Sequence, residues 1–270
     1  MPRTVHLLAL VAAFLSAGAT IFIRQGLRNN TPYTGFWINL VVGTIGLWVG
    51  VLAMGGVGRV SAAGLGLFAL AGLIGTVGGR LLRFVSIETV GASISAALTN
   101  LNPLFASGLA ILVLGERVTA PIVSGTAVIV LGTILLSATC FGVVAILRKL
   151  GLSHMSAITG SAVNVTTALV AYTAFLLASG RGDTMACRGR SLGHFVAAGI
   201  AENAGVFLNV VALGLGTVSI VAPLYGSSPI FVLLLSFFFL KGLDLLSGRI
   251  VAGTLLIVAG VYLITALSGH

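Results

Sequence analysis

Long stretches without Asp, Glu, Lys or Arg recur along the sequence, among them positions 4–23, 29–58, 60–79, 89–115, 118–147 and 150–180. A helix needs about 20 apolar residues to cross the hydrocarbon core of a bilayer, and each run is long enough. Only 7% of the 270 residues are charged and 58% are hydrophobic. A soluble domain carries about 25% charged residues, so this chain has too few to cover a surface that faces water. The expectation is an all-α, polytopic membrane protein. The alternating pattern of a membrane barrel is absent.

The net charge of +9 does not point to nucleic acid. The basic residues stand singly or in pairs between apolar runs, where membrane loops place them, and form no stripe. They divide too evenly between alternate loops to orient the chain. Cys140 lies in an apolar run and Cys187 in a loop, a pair that supports neither a disulfide framework nor a metal site. The first apolar run lacks a small-x-small cleavage pattern before Arg24 and is followed by further spans, so it reads as a membrane helix and not a signal peptide. Helices are expected at 5–27, 33–54, 62–84, 90–114, 156–179, 192–215, 218–240 and 245–267. Residues 181–190 form the longest polar loop. Glycine, 37 of 270 residues, falls inside the helices. There small residues let backbones approach closely, and Gly78-Gly79 in mid-helix also reads as a hinge.

An internal repeat organises the chain. Asn102-Pro103-Leu104-Phe105 leads to the turn Leu114-Gly115-Glu116-Arg117, then to Gly125 and Gly132. Near the C-terminus, Ser228-Pro229-Ile230-Phe231 leads to the turn Lys241–Asp244, then to Gly253 and Gly260. Setting Pro103 on Pro229 also pairs Ser93 with Ser219, Leu98 with Leu224 and Phe105 with Phe231. A weaker match joins Gly18 and Arg24 to Gly142 and Arg148. Such self-similarity is the mark of a duplicated membrane protein.

On these motifs, together with Pro223, the chain resembles the EamA-like transporters of the drug/metabolite transporter superfamily. The resemblance implies two five-helix repeats, here 1–138 and 139–270, inverted around a central cavity that works by alternating access. It further implies a secondary transporter of the exporter type in a bacterial plasma membrane. The cargoes would be amino acids, other metabolites or drugs, and no cofactor would be needed. One departure stands out. Residues 119–151 must serve as both the fifth and the sixth helix, yet at about 1.5 Å per residue they are short of two full crossings. Either one long helix replaces two, giving nine spans, or a kinked pair survives near Ser137–Cys140.

Several residues are candidates for a substrate or proton site. Glu202, with Asn203 beside it, lies mid-helix, where a carboxylate is costly and usually faces a cavity or a partner. It reads either as a proton or cation site or as an ion-paired lock between helices. Arg80 is its expected partner, with reaching for the headgroups an equal alternative; for Arg83 the headgroup reading is the better one. Thr99, Asn102, Tyr225 and Ser228 flank Pro103 and Pro229. With Pro223, these prolines open the helix ladder and expose carbonyls to a cavity. Trp37 and Asn39 read as lining the path, with an interfacial anchor as the alternative for the tryptophan. Asn164 and Asn209 read as hydrogen-bonding glue between helices.

No nucleophile-base set, phosphate loop or metal-ligand spacing is present, so no enzyme, metal or cofactor is expected. The partners expected are a small-molecule substrate, membrane lipid and protons; a homodimer is compatible with the sequence. Two rival readings stay open: a degenerate, non-transporting scaffold of the same fold, and a lipid-carrier flippase.

Overall fold

The computed structural model describes residues 2–99 and 137–240. The first helix, α1 (Pro2–Gly26), ends in one 3-10 turn (Leu27–Asn29) and is followed by α2 (Pro32–Ala53). The next rod has three parts, α3 (Ala62–Ala71), a π-helical segment (Gly72–Arg80) and α4 (Leu81–Val90). Beyond Gly91 comes α5 (Ala92–Thr99). The second described stretch holds α6 (Ser137–Gly151), α7 (Ala157–Ala178), α8 (Arg190–Leu215), α9 (Val218–Tyr225) and α10 (Ser228–Phe239). Among the described residues, six rods are long and apolar enough to cross a membrane. The chain is a multi-pass helical membrane protein.

The third rod runs to Val90, six residues past its expected end at Phe84. Arg83, Ser86 and Glu88 look like an approach to water in the sequence, yet the helix continues until Gly91, whose φ of 90° is open to glycine and strained for other residues. Arg83 therefore lies two turns inside the rod. Pro103, the turn 114–117 and the helix expected at 245–267 lie outside the described residues. So does most of 119–151, which is described only from Ser137.

The two halves repeat local devices as well as sequence. Thr31 caps α2 by accepting from Thr34 N, and Ser156 caps α7 by accepting from Thr159 N. In both caps the two hydroxyls also bond to each other. Each cap satisfies an amide that the first turn leaves without a helical partner. At the other end, Arg24 of α1 donates to the carbonyls of Ile87 and Glu88 that end α4. Lys149 of α6 donates in the same way to Leu213 and Gly216 at the end of α8. A cation on the negative end of a helix is favourable electrostatically, so each half seals its third rod with a charge from its first.

These contacts sort the connections onto two faces. On one, Asn30 Nδ2 donates to the Cys187 sulfur at 3.2 Å, Arg181 lies over the Tyr33 ring, and Arg24 meets the end of α4. Partial burial also raises the pKa of the Cys187 thiol. On the opposite face, Thr159 Oγ1 donates to the Val57 carbonyl at 3.0 Å, and Val60 bridges Met155. The α2–α3 and α6–α7 connections are thus neighbours.

Close packing depends on glycine. α1 runs along α8, α2 along α7 and α8, and α3 along α6 and α7. A Cβ on Gly72 would come 2.4 Å from the Asn164 carbonyl oxygen, and one on Gly43 would come 2.4 Å from the Asn203 amide. Phe36 sits at the centre of the largest apolar cluster, its ring edge-on to Phe84 and Tyr172.

Candidate functional site: a buried arginine cluster

Lipid contributes no hydrogen bonds, so a polar side chain in a spanning helix turns inward to find partners. Glu202 stands at the middle of α8 and is only 2% exposed. Arg83 on α4 reaches it, Nη1 to Oε1 at 2.7 Å. The same guanidinium donates to the Ser16 carbonyl at 3.2 Å and to the Thr20 hydroxyl on α1. Thr20 in turn donates to the Ser16 carbonyl. One arginine thereby ties α4 to α1 within its own half and to α8 in the other.

Arg80, one turn earlier, is buried and bonded differently. Its Nη1 donates to Asn39 Oδ1 at 3.0 Å and to Asn203 Oδ1 at 3.1 Å. Asn203 is itself anchored, donating from Nδ2 to the Gly199 carbonyl at 2.8 Å and the Asn39 carbonyl at 3.2 Å. A third arginine, Arg148 near the end of α6, donates to Asn164 Oδ1 at 2.9 Å. Asn164 donates onward to Thr76 in the π segment.

The three arginines and Glu202 line one cavity of about 90 Å³. Its wall also carries Asn209, Tyr225 and Ser228. Helices of both halves contribute, and two are irregular there. The π segment supplies Gly75, Thr76 and Arg80, and π turns occur often at functional sites. The α9–α10 rod is broken at Gly226 and Ser227, so α10 starts at the cavity wall. Pro223 sits inside α9 and Pro229 in the first turn of α10, where a missing amide hydrogen costs nothing. Among the described residues, Glu202 Oε2, Asn209 Oδ1 and Arg148 Nε have no hydrogen-bond partner.

The pattern of these helices matches known sequences twice over. The model of the EamA-like transporter family matches residues 3–138 and again residues 133–266. The chain belongs to the EamA-like transporter family. Among solved structures, 25 chains match. One of them, a crystal structure described only as that of a protein, is 16% identical with a TM-score of 0.76. That match covers 98% of this chain and 99% of the other. At that identity the likeness concerns the fold alone. No curated protein matches the chain. Members of the EamA-like family are transporters and not enzymes, and nothing in the described site points to catalysis.

The site differs from the sequence expectation in its pairing. Glu202 pairs with Arg83, not with Arg80, and Arg83 does not reach for the headgroups. The longer third rod holds Arg83 deep in the bundle facing α1 and α8, while two asparagine amides already occupy Arg80. Asn39 and Asn203 stand behind the cavity as the clamp on Arg80. Trp37 is not in the wall either: its indole nitrogen donates to Thr173 on α7, as Trp48 donates to Thr166, so both rings staple α2 to α7. Tyr225 and Ser228 do line the cavity. The side chain of Thr99 lies outside the described residues, as do Asn102 and Pro103. Asn164 links helices as expected of it, whereas Asn209 faces the cavity.

Arg148 was missed as a site residue because it ends a charge-free run, where an arginine ordinarily marks water. Its pairing with Arg24 in the repeat was the available clue.

The two kinds of asparagine should separate by stability. Asn203→Ala strips a buried guanidinium and a backbone carbonyl of partners, a loss of about 1–3 kcal/mol, and should lower the melting temperature in detergent. Asn209→Ala removes an amide oxygen that has no donor and should leave the melting temperature nearly unchanged. Equal effects would contradict the assignment.

Proposed function

We propose that the protein is a secondary-active transporter that exports a small polar metabolite by alternating access between its two halves. The observation that carries this reading is the charged cavity at the junction of the halves. Buried intramembrane charges are expensive, and a helix-packing scaffold has no need of four of them around one space. In this reading the Arg83–Glu202 contact is made in one access state and broken in the other. Protonation of Glu202 removes the charge that holds Arg83, so the proton supplies the coupling and the arginine is freed as the halves move.

Alternating access by inverted halves requires an odd number of spans in each. The neighbouring α2–α3 and α6–α7 connections support that reading. The third rod leaves the face that carries Val57 and Val60, and α6 ends beside it at Met155, a juxtaposition that favours an even number of crossings between the two points. A helix four followed by one fused helix gives an odd number. We therefore read the chain as ten spans in preference to nine.

Two experiments test this reading. Cysteine reporters at Val57 and Ser153, with Cys140 and Cys187 replaced by Ser, should react with a membrane-impermeant maleimide from the same side. Labelling from opposite sides would reinstate nine spans. In proteoliposomes screened with labelled amino acids, hydroxy acids and a cationic dye, at least one probe should accumulate saturably when a pH gradient is imposed. Glu202→Gln should abolish that gradient-driven accumulation while a slower exchange persists. Probe movement equal to that of protein-free vesicles would contradict transport, and accumulation that survives Glu202→Gln would contradict coupling at that residue.

A further inference from the structure

Among the described residues the lining of the cavity is positively charged, and that balance bears on what it can hold. Three guanidiniums line it, from Arg80, Arg83 and Arg148, against one carboxylate, Glu202. The single carboxylate is already taken by Arg83. Arg80 and Arg148, at 4% and 8% exposure, have only neutral amide oxygens as partners among the described residues. The other acidic residues do not alter this balance among the described residues. Glu88 and Asp183 are exposed near the ends of helices, while Glu116 and Asp244 lie outside the described residues.

An amide oxygen satisfies a donor but supplies no charge. Two buried cations with no carboxylate bonded to them among the described residues, sharing one distant carboxylate, are unfavourable in a low-dielectric bundle. The architecture keeps them nonetheless, each held in place by its own asparagine clamp. α10 starts at the same space, with Ser228 in the wall. Arg148 Nε, a buried donor without a partner among the described residues, adds a free hydrogen bond there.

Resting on the transport reading above, we infer that the cargo is a small organic anion, its carboxylate or phosphate group held between Arg80 and Arg148. Guanidinium binds both groups through paired, charge-assisted hydrogen bonds. Elsewhere on the wall, Glu202 Oε2 and Asn209 Oδ1 are acceptors without a donor among the described residues, so a hydroxyl on the cargo completes the fit. A cation fares worse, because its one attraction is a carboxylate that Arg83 already neutralises. The cavity of about 90 Å³ restricts the occupant in this conformation to a molecule far smaller than a drug.

Three probes with one hydroxylated four-carbon skeleton test the assignment: malate, its neutral diamide and 1,4-diamino-2-butanol. Glycerol phosphate serves as the phosphate arm. Exchange of each labelled probe across proteoliposomes of the full-length protein is measured beside the shift in melting temperature that it causes in detergent. At least one anion should exchange and stabilise the protein, and the diamide and diamine should do neither. Preference for malate or for glycerol phosphate then tells carboxylate from phosphate.

Arg148→Gln should slow anion exchange by about tenfold or more, the effect of losing one charge-assisted hydrogen bond. Asn209→Asp keeps every arginine and adds a negative charge to the wall; it should cut anion exchange as well, and it serves if the arginine variant fails to fold. Exchange of the diamine or diamide in preference to both anions would overturn the inference while leaving transport intact. Failure of both anions to exchange or stabilise would also overturn it, and the Glu202→Gln accumulation experiment would then judge transport separately.

Discussion

A guanidinium and a carboxylate meet at 2.7 Å between α4 and α8, and the two halves of the bundle join around that contact. In water such a pair contributes little. In a bundle surrounded by lipid each partner is stranded without the other, so the pair constrains where the helices can stand. Arg83 reaches Glu202 only because the third rod continues past Phe84. It reaches Ser16 and Thr20 only because α1 lies against the same groove. Length, helix packing and charge pairing therefore fix one another.

Glycine makes that geometry accessible. Gly72 lets the π segment touch the backbone of α7 at Asn164, the residue that clamps Arg148, and Gly43 admits the amide of Asn203, which clamps Arg80. Each arginine clamp is thus set beside a glycine notch. Where van der Waals contact is the main force between helices, the same small residues that bring the rods together deliver the polar groups to the cavity. The repetition of hydroxyl caps and of cations sealing helix ends in both halves shows a duplicated unit whose local rules survived even where its sequence diverged.

Much of this was legible in the sequence. Charge-free runs marked the described spans, the third rod alone running six residues past its expected end, since hydropathy and length leave little freedom in a bilayer. The paired Pro103 and Pro229 motifs revealed the duplication, and mid-helix Glu202 announced a buried carboxylate. What stayed hidden depended on rotation about helix axes and on depth. Arg80 and Arg83 are one turn apart, so spacing alone cannot say which meets Glu202. The π segment changes the angular relation of the residues on either side of it, and the sequence carries no mark of one. Arg148 shows the same limit from the other side: the end of an apolar run ordinarily lies at the interface, yet α6 ends with Arg148 under α7. Trp37 reads equally well as a wall residue or an anchor, and only the position of Thr173 decides against the wall.

The dependence of the bundle on one ion pair between its halves is tested most directly by a double-mutant cycle on Arg83 and Glu202. Melting temperatures in detergent would be measured for Arg83→Gln, Glu202→Gln and both together. Each single change leaves a buried charge without its partner, so each should lower the melting temperature markedly, and the double variant should lie above the sum of the two losses by a coupling on the order of 1–3 kcal/mol. Strictly additive losses would mean that the two side chains act independently, and the pair would no longer account for how the halves are joined.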